Sequence, residues 1–248
     1  HPYIYSEITG YALTLMSFLY SLTKKDIFIE RARHAARWIL QDALNSDGAV
    51  LTRKYLKDTV EHYSFERGNV YSFDCAMVAF GMLKLYKITK EDDYLTCASK
   101  IIEFLNTKML KGSGLYYPIF DTKQGSLYED PEKWSTQSGS FHSKLALCLC
   151  ELASIKKDNH YSETAARLID SSVKNFYKGN RFITSTPAGT SHFHPYCYTL
   201  EGMLYYSYKL KDSKHEKVIK DAFNWLIDFQ QEDGGFPTQV YSKESINI

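Results

Sequence analysis

Four times along its 248 residues, the chain pairs two apolar stretches of helical period across a tight charged connection, and long loops separate the pairs. The stretches run Ile8 to Leu22, Ile27 to Ala43, Phe73 to Ile88, Tyr94 to Leu110, Phe141 to Ile155, Ser162 to Phe176, Tyr196 to Leu210 and Lys217 to Gln230. The connections inside the pairs are Thr23-Lys24-Lys25-Asp26, Thr89-Lys90-Glu91-Asp92, Lys156-Lys157-Asp158-Asn159 and Lys211-Asp212-Ser213-Lys214. They recur at offsets of about 66, 67 and 55 to 57 residues, and Ala32, Ala98, Ala165 and Ala222 follow at nearly one distance, so the pairs are an internal repeat. A helical hairpin cannot bury its apolar face alone and must stack on its neighbours.

An open solenoid of the TPR or HEAT kind has repeats of roughly 34 to 47 residues with short loops on both sides. Here the repeat is longer, and all the extra length lies in one set of loops rich in Gly, Tyr, Trp, Asp and His. The expected fold class is all-α: an α/α toroid, a barrel of helical hairpins of which about four are visible, forming one domain over residues 1–248. The first helix of each pair is expected inside. Ala76 to Leu85 and Leu145 to Leu152 are apolar nearly all round, as buried inner helices are, whereas Ile27 to Ala43 is charged and amphipathic, as an outer helix is.

Composition excludes several function classes. A net charge of +1 and a pI of about 7.7 ask for neither nucleic acid nor an anionic membrane. No apolar run reaches the roughly 18 residues of a membrane span. Five cysteines, Cys75, Cys97, Cys148, Cys150 and Cys197, make an odd number without a CxxC pair, and reduced, buried thiols are expected. With no signal peptide the localisation reads as cytoplasmic, although a start at His1 rather than Met leaves room for a fragment or a mature domain of something longer.

If the long loops share one end of the barrel, the residues that open the inner helices converge there. These are Glu7, Asp74, His142 and the cluster His194, Tyr196 and Tyr198, with Glu201 one turn deeper. The offsets map position 8 onto 74, 141 and about 196. Within Gly189 to Gly202, Pro195 fits a first helical turn, which leaves His192 and His194 in the loop and carries Tyr198 and Glu201 into the helix. The same end receives His62, Arg67 and Asn69 from one loop, Tyr117 from another, and Trp134. Paired carboxylates suit acid and base work, because burial and a like neighbour hold one protonated while the other stays ionised. Glu201, among Leu200, Met203 and Leu204, is expected to be buried with a partner, and Glu201 and Asp74 are read as the acid/base pair. Tyr128, Tyr196 and Tyr198 are read as proton carriers or ligands, and His142, His192 and His194 as binding or relay groups. With Asn69, Tyr117 and Trp134 they make the composition of a saccharide cleft. His192-x-His194 comes without HExxH or cysteine-ligand spacing, and GxSxG, phosphate loops and dinucleotide fingerprints are absent, so neither metal nor cofactor is expected.

This pattern resembles the superfamily of α/α-toroid carbohydrate enzymes: six-hairpin glycosidases, unsaturated glucuronyl hydrolases and N-acylglucosamine 2-epimerases. Those enzymes have six hairpins, so the four here imply either a barrel that does not fully close or a toroid of which part is missing. The run Tyr117-Pro118-Ile119-Phe120-Asp121-Thr122-Lys123-Gln124-Gly125-Ser126-Leu127-Tyr128, followed by Phe141-His142 and Leu149 to Ile155, is similar to a segment in the helical domain of glucuronyl C5-epimerases. That resemblance implies a catalytic proton carrier at Tyr128, while a second family tyrosine falls on Phe141, which has no acidic proton. Together the resemblances imply acid/base chemistry on an oligosaccharide or polysaccharide, either glycoside hydrolysis or uronate epimerisation or elimination, with Arg67 the partner of a substrate carboxylate. The alternative is a non-catalytic helical-repeat domain that binds a glycan or a protein partner. A scaffold of that kind would have a mouth of solvated Lys and Glu and no buried carboxylate.

Overall fold

The computed structural model describes residues 3–56, 68–187, 189–241 and 246–247. Its helices are α1 (Ser6–Thr23), α2 (Asp26–Trp38), α3 (Ser72–Thr89), α4 (Asp92–Phe104), α5 (Ala146–Lys156), α6 (Asn159–Phe176), α7 (Phe193–Leu210) and α8 (Glu216–Ile227). Every expected stretch is therefore helical. Two details were not expected: α2 and α4 each finish in a π-helical turn, Ile39–Ala43 and Leu105–Met109, and α5 follows a 3-10 turn over Ser140–Leu145. The chain divides into two compact units, His1–Leu110 with Tyr117–Tyr128, and Lys111–Tyr116 with Glu129–Ile248. Each unit holds two hairpins.

All four tight turns are built alike. Lys24, Lys90, Lys157 and Lys211 take left-handed backbone angles, with φ of 57°, 61°, 55° and 54°. Each donates its N–H to a carbonyl in the last turn of the helix before it: Tyr20, Tyr86, Ala153 and Ser207. This is the left-handed helix cap, which satisfies a carbonyl that the helix end leaves without a partner.

In the first unit α1 and α3 meet through small residues. A Cβ on Gly81 would lie 2.6 Å from the Gly10 carbonyl oxygen, and one on Gly10 would lie 2.8 Å from the Met77 backbone. Helix α3 is buried without interruption from Ser72 to Leu83, while α2 and α4 bury only a stripe, Ile29, Ala32 and Ala36 in one and Tyr94, Cys97, Ala98, Ile101 and Ile102 in the other. Helix α1 departs from α3. It buries Ser6, Gly10, Leu13 and Ser17, and its other face lines an open apolar groove of about 570 Å³ with Ile8, Leu15 and Phe18. Leu13→Ala is expected to cost about 3 kcal/mol by thermal unfolding and Leu15→Ala less than about 1 kcal/mol. Equal costs would place the core on the wrong face of α1.

Short strands tie the loops to the helix starts. Strand β1 (Tyr3–Tyr5) pairs antiparallel with β2 (Arg53–Tyr55), and β3 (Asn69–Tyr71) pairs with β4 (Ile119–Asp121), which pairs with β5 (Ser126–Tyr128). The first residue of α1, Ser6, donates its N–H to Thr52 O at 3.0 Å, and that of α3, Ser72, to Pro118 O at 2.9 Å. Each loop thus returns from its outer helix to the mouth of its own inner helix.

The second unit repeats the plan. Helix α5 is buried from Ala146 to Ala153, and α6 packs on it through Tyr161, Ala165, Leu168 and Ile169. Strands β6 (Tyr177–Lys178) and β7 (Arg181–Phe182) form a tight hairpin, and β8 (Ser191–His192) pairs with β9 (Gln239–Val240), which pairs with β10 (Ile246–Asn247). Phe193 N–H, at the start of α7, reaches Thr238 O at 3.0 Å. In α5 the buried Glu151 accepts from the Tyr205 hydroxyl and from Lys209, the latter at 3.1 Å, so the buried charge is paired.

Two placements are corrected. Helix α7 opens at Phe193, so His194 sits in its first turn rather than in the loop. The amides of a first turn have no intrahelical partner, and Pro195 is accommodated there. The helix starts at Ser6, Ser72, Ser140 and Phe193 also align position 8 with 74, 142 and 195. Four of the five thiols are buried and Cys197 is exposed. Among the described residues no helix is long and apolar enough to cross a membrane.

Candidate active site

In the first unit the register of the β1–β2 ribbon sets Tyr5 opposite Arg53 and Tyr3 opposite Tyr55. Side chains alternate along a strand, so these four share one face and Ile4 and Lys54 take the other. Tyr5 is also the residue before α1, which puts Glu7 in the first helical turn beside it. Asp74 stands in the equivalent turn of α3 and is buried, with 3% of its surface exposed. Thr52, at the entry to β2, accepts the Tyr71 N–H at 3.1 Å and hydrogen-bonds Asp74 with its hydroxyl.

These groups perturb one another. Burial, and then the negative charge of Glu7, hold the Asp74 carboxyl well above the usual carboxylate range, against the Thr52 hydrogen bond and the Arg53 charge, which pull it down. Tyr5 is pushed up by burial and by the charges of Asp74 and Glu7, so it stays a neutral phenol that donates to Glu7. The Arg53 guanidinium lies 4.8 Å from the Tyr5 ring centroid and 5.2 Å from that of Tyr3, within cation–π reach. Two polar atoms of this cluster are buried without a hydrogen-bond partner among the described residues: Asp74 Oδ2 and Arg53 Nε. A carboxyl whose pKa burial and a second carboxyl hold up, with one oxygen unmet among the described residues, has the chemistry that a general acid needs.

Of the expected residues in this unit, Glu7 and Asp74 come together. Asn69 opens β3, and its carbonyl accepts the Thr52 N–H at 3.2 Å. Tyr117 is half-buried and donates its N–H to Met109 O at 2.8 Å, and Tyr128 is half exposed at the end of β5. His62 and Arg67 lie outside the described residues. Sequence reasoning missed Tyr3, Tyr5, Thr52, Arg53 and Tyr55. The only signal was the alternation Tyr3-x-Tyr5 and Arg53-x-Tyr55, in strands of three residues each.

The second unit gathers another set. Lys144, buried in the 3-10 turn, places its ammonium 2.7 Å from Glu201 Oε2 and 4.1 Å from the Tyr198 ring centroid. His194 meets Tyr198 edge-on at 4.7 Å, and Trp134 lies 5.7 Å from His194 and 5.3 Å from Phe141. Glu201 has its partner, but its side chain is 53% exposed rather than buried. Along α7, residue 201 lies on a different side from Leu200 and Met203, which are buried, and on the side of Leu204, which is exposed. Tyr196 sits in the core instead of at a mouth: it is fully buried, and its hydroxyl donates to Ala222 O at 2.9 Å. His142 is buried, accepts the Gly139 N–H on Nδ1 at 3.3 Å and is lowered by burial and the Lys111 charge to about 3, so it is neutral. His192, half-buried at the cap of α7, is also lowered by burial.

No family model matches this sequence, and no curated protein matches it. Solved structures do. The chain is similar to a GH76 α-mannanase from Bacteroides thetaiotaomicron, with a TM-score of 0.77 at 16% identity over 100% of this chain and 64% of that one. It is similar to a cellobiose 2-epimerase from Bacillus thermoamylovorans, with a TM-score of 0.80 at 12% identity over 97% of this chain and 65% of that one. A possible member of the GH105 family from Salmonella enterica gives a TM-score of 0.73 at 13% identity over 92% of this chain and 60% of that one. The chain thus spans 60 to 65% of the length of these proteins. What they share with it is the fold, the α/α-toroid class of helical hairpins.

Proposed function

We propose that the chain belongs to a carbohydrate-active enzyme and that its reaction is glycoside hydrolysis. Asp74 is the general acid and Glu7 the base or nucleophile. The observation that carries this is Asp74 itself, a buried carboxyl whose pKa is held up by burial and by Glu7 and whose Oδ2 has no hydrogen-bond partner among the described residues. A helical-repeat scaffold has no use for such a group, which costs stability. In the reaction Asp74 gives its proton to the leaving glycosidic oxygen as the C–O bond breaks. Water supplies the hydroxyl to the sugar carbon, and its other proton returns to the Asp74 carboxylate, directly or after Glu7 has accepted it and passed it on, so the acid is restored. Asn69, Tyr117 and Tyr128, in the same unit, are sugar-binding candidates for this centre, and Trp134, His192, His194, Tyr198 and Glu201 are a separate candidate set within the second unit. Uronate epimerisation has less support, because it calls for a pair of acidic tyrosines and Phe141 stands where the resemblance puts the second.

The likeness to an α-mannanase and a cellobiose 2-epimerase makes α-mannan and cellobiose the first substrates to try, with a uronate-containing oligosaccharide as the third. The wild-type protein is expected to release new reducing ends from one of them. Glu7→Gln should lower that rate by about 10²- to 10⁴-fold without changing the melting temperature by more than about 2 °C. A fully active Glu7→Gln variant, or no product from any substrate, would count against the proposal.

A further inference from the structure

We propose that the exposed stripe of α1 is the seat of a further inner helix, carried by a helical hairpin of the same polypeptide outside residues 1–248. The inference does not depend on the chemistry assigned to Asp74. Helix α1 carries two stripes of the same spacing. Ser6, Gly10, Leu13 and Ser17 are buried, and the small Gly10 lets α3 approach until a Cβ there would lie 2.8 Å from the Met77 backbone. Ile8, Tyr11, Leu15, Phe18 and Leu22 form the second stripe, in which Ile8, Leu15, Phe18 and Leu22 are 56 to 65% exposed. At about 100° per residue the two stripes lie about 150° apart, on nearly opposite sides of the helix. Helix α1 is thus built to be flanked on both sides, and α3 supplies one flank.

The spacing identifies the kind of occupant. Steps of three and four residues, sustained from Ile8 to Leu22, make the seam of a helix packed nearly parallel or antiparallel to α1. The open groove of about 570 Å³ follows that seam and is lined by Ile8, Tyr11, Ala12, Thr14, Leu15 and Phe18. Of these side chains only Tyr11 and Thr14 have a polar atom, so the groove offers a sugar little to bond. In residues 1–248 alone the stripe buries little, which is why Leu15→Ala is nearly silent there.

Two observations favour a hairpin of the same polypeptide over a second copy. Helices α3 and α5 are the first helices of their hairpins, as α1 is, and they are buried from Ser72 to Leu83 and from Ala146 to Ala153. Burial on every side is therefore the rule at this place in the repeat, and stacked repeats supply it. The solved structures that share the fold are also longer. These 248 residues are 64% of the α-mannanase chain, and the remaining roughly 140 residues equal about two repeats of the length found here.

The test is made on the full polypeptide that the gene encodes. The coding sequence flanking residues 1–248 is expected to hold at least one more pair of apolar helical stretches joined by a tight charged turn. The photoreactive residue p-benzoylphenylalanine then replaces Phe18, or separately Leu15, in an equal mixture of isotope-labelled and unlabelled protein. After irradiation the linked peptides are identified by mass spectrometry. The expected link joins α1 to a peptide outside residues 1–248, with both ends carrying the same isotope. Melting curves identify a variant that does not fold, and Ile8 then takes the probe. Links of mixed isotope would assign the stripe to a second copy and overturn the proposal. Links confined to residues 1–248, no link from a folded protein, or flanking sequence without the repeat would overturn it as well.

Discussion

Asp74→Asn is expected to lower turnover by about 10²- to 10⁴-fold and to make the protein more stable at neutral pH. Asparagine fills the same space and can still hydrogen-bond Thr52, but it has no proton to give to a leaving oxygen. The stability gain follows from linkage. The folded-state pKa of Asp74 is raised above the usual carboxylate value by burial and by Glu7. Between the unfolded value, near about 3.9, and the raised folded one, the folded protein holds more protons than the unfolded chain. The contribution of this group is therefore fully present below the unfolded value and is lost as pH rises through the folded one. Asn removes that loss, so the melting temperatures of wild type and variant should converge at about pH 3 to 4 and separate as pH rises. Activity should follow the same proton, declining as pH rises through the Asp74 pKa. A variant less stable than wild type at pH 8 would mean that Asp74 is a structural residue.

Gly202→Val is expected to be the most destabilising single change outside the site, at about 3 kcal/mol or more. A Cβ on Gly202 would lie 2.2 Å from the Ser143 carbonyl carbon, 2.3 Å from its oxygen and 2.4 Å from Lys144 N. All three are backbone atoms, so no side chain can rotate away, and α7 would have to move off the turn before α5. Val adds two further methyl groups to that clash. For a chain of this length the cost lowers the melting temperature by roughly 6 to 12 °C. Gly112, where a Cβ meets nothing within 4 Å, is the control: Gly112→Ala should leave stability within about 0.5 kcal/mol. Comparable losses at the two positions would contradict the close helix approach.

The helices were legible in the sequence because each is long enough to show its period and because the pattern comes four times. The tight turns were legible for the same reason, and the structure adds only that Lys24, Lys90, Lys157 and Lys211 are the left-handed residues in them. Asp74 and Glu7 could be found from their place in the repeat. Arg53 and Tyr5 could not, since an alternation confined to three residues is too short to read as a strand and its pairing spans some fifty residues of chain. Glu201 illustrates another limit: apolar neighbours in sequence suggested burial, whereas the helical turn between Leu200 and Met203 sends residue 201 outward. The open face of α1 was hidden too, because Leu15 and Phe18 read as core in any apolar stripe.

The most direct measurement is the carbon NMR signal of the Asp74 side-chain carboxyl followed against pH, assigned by its loss in Asp74→Asn. The prediction is a carboxyl still protonated above the range in which ordinary carboxylates ionise, and one that shifts downward in Glu7→Gln because a neighbouring negative charge is gone. An Asp74 that ionises near about 4, indifferent to Glu7, would contradict the acid assignment on which the proposed chemistry rests.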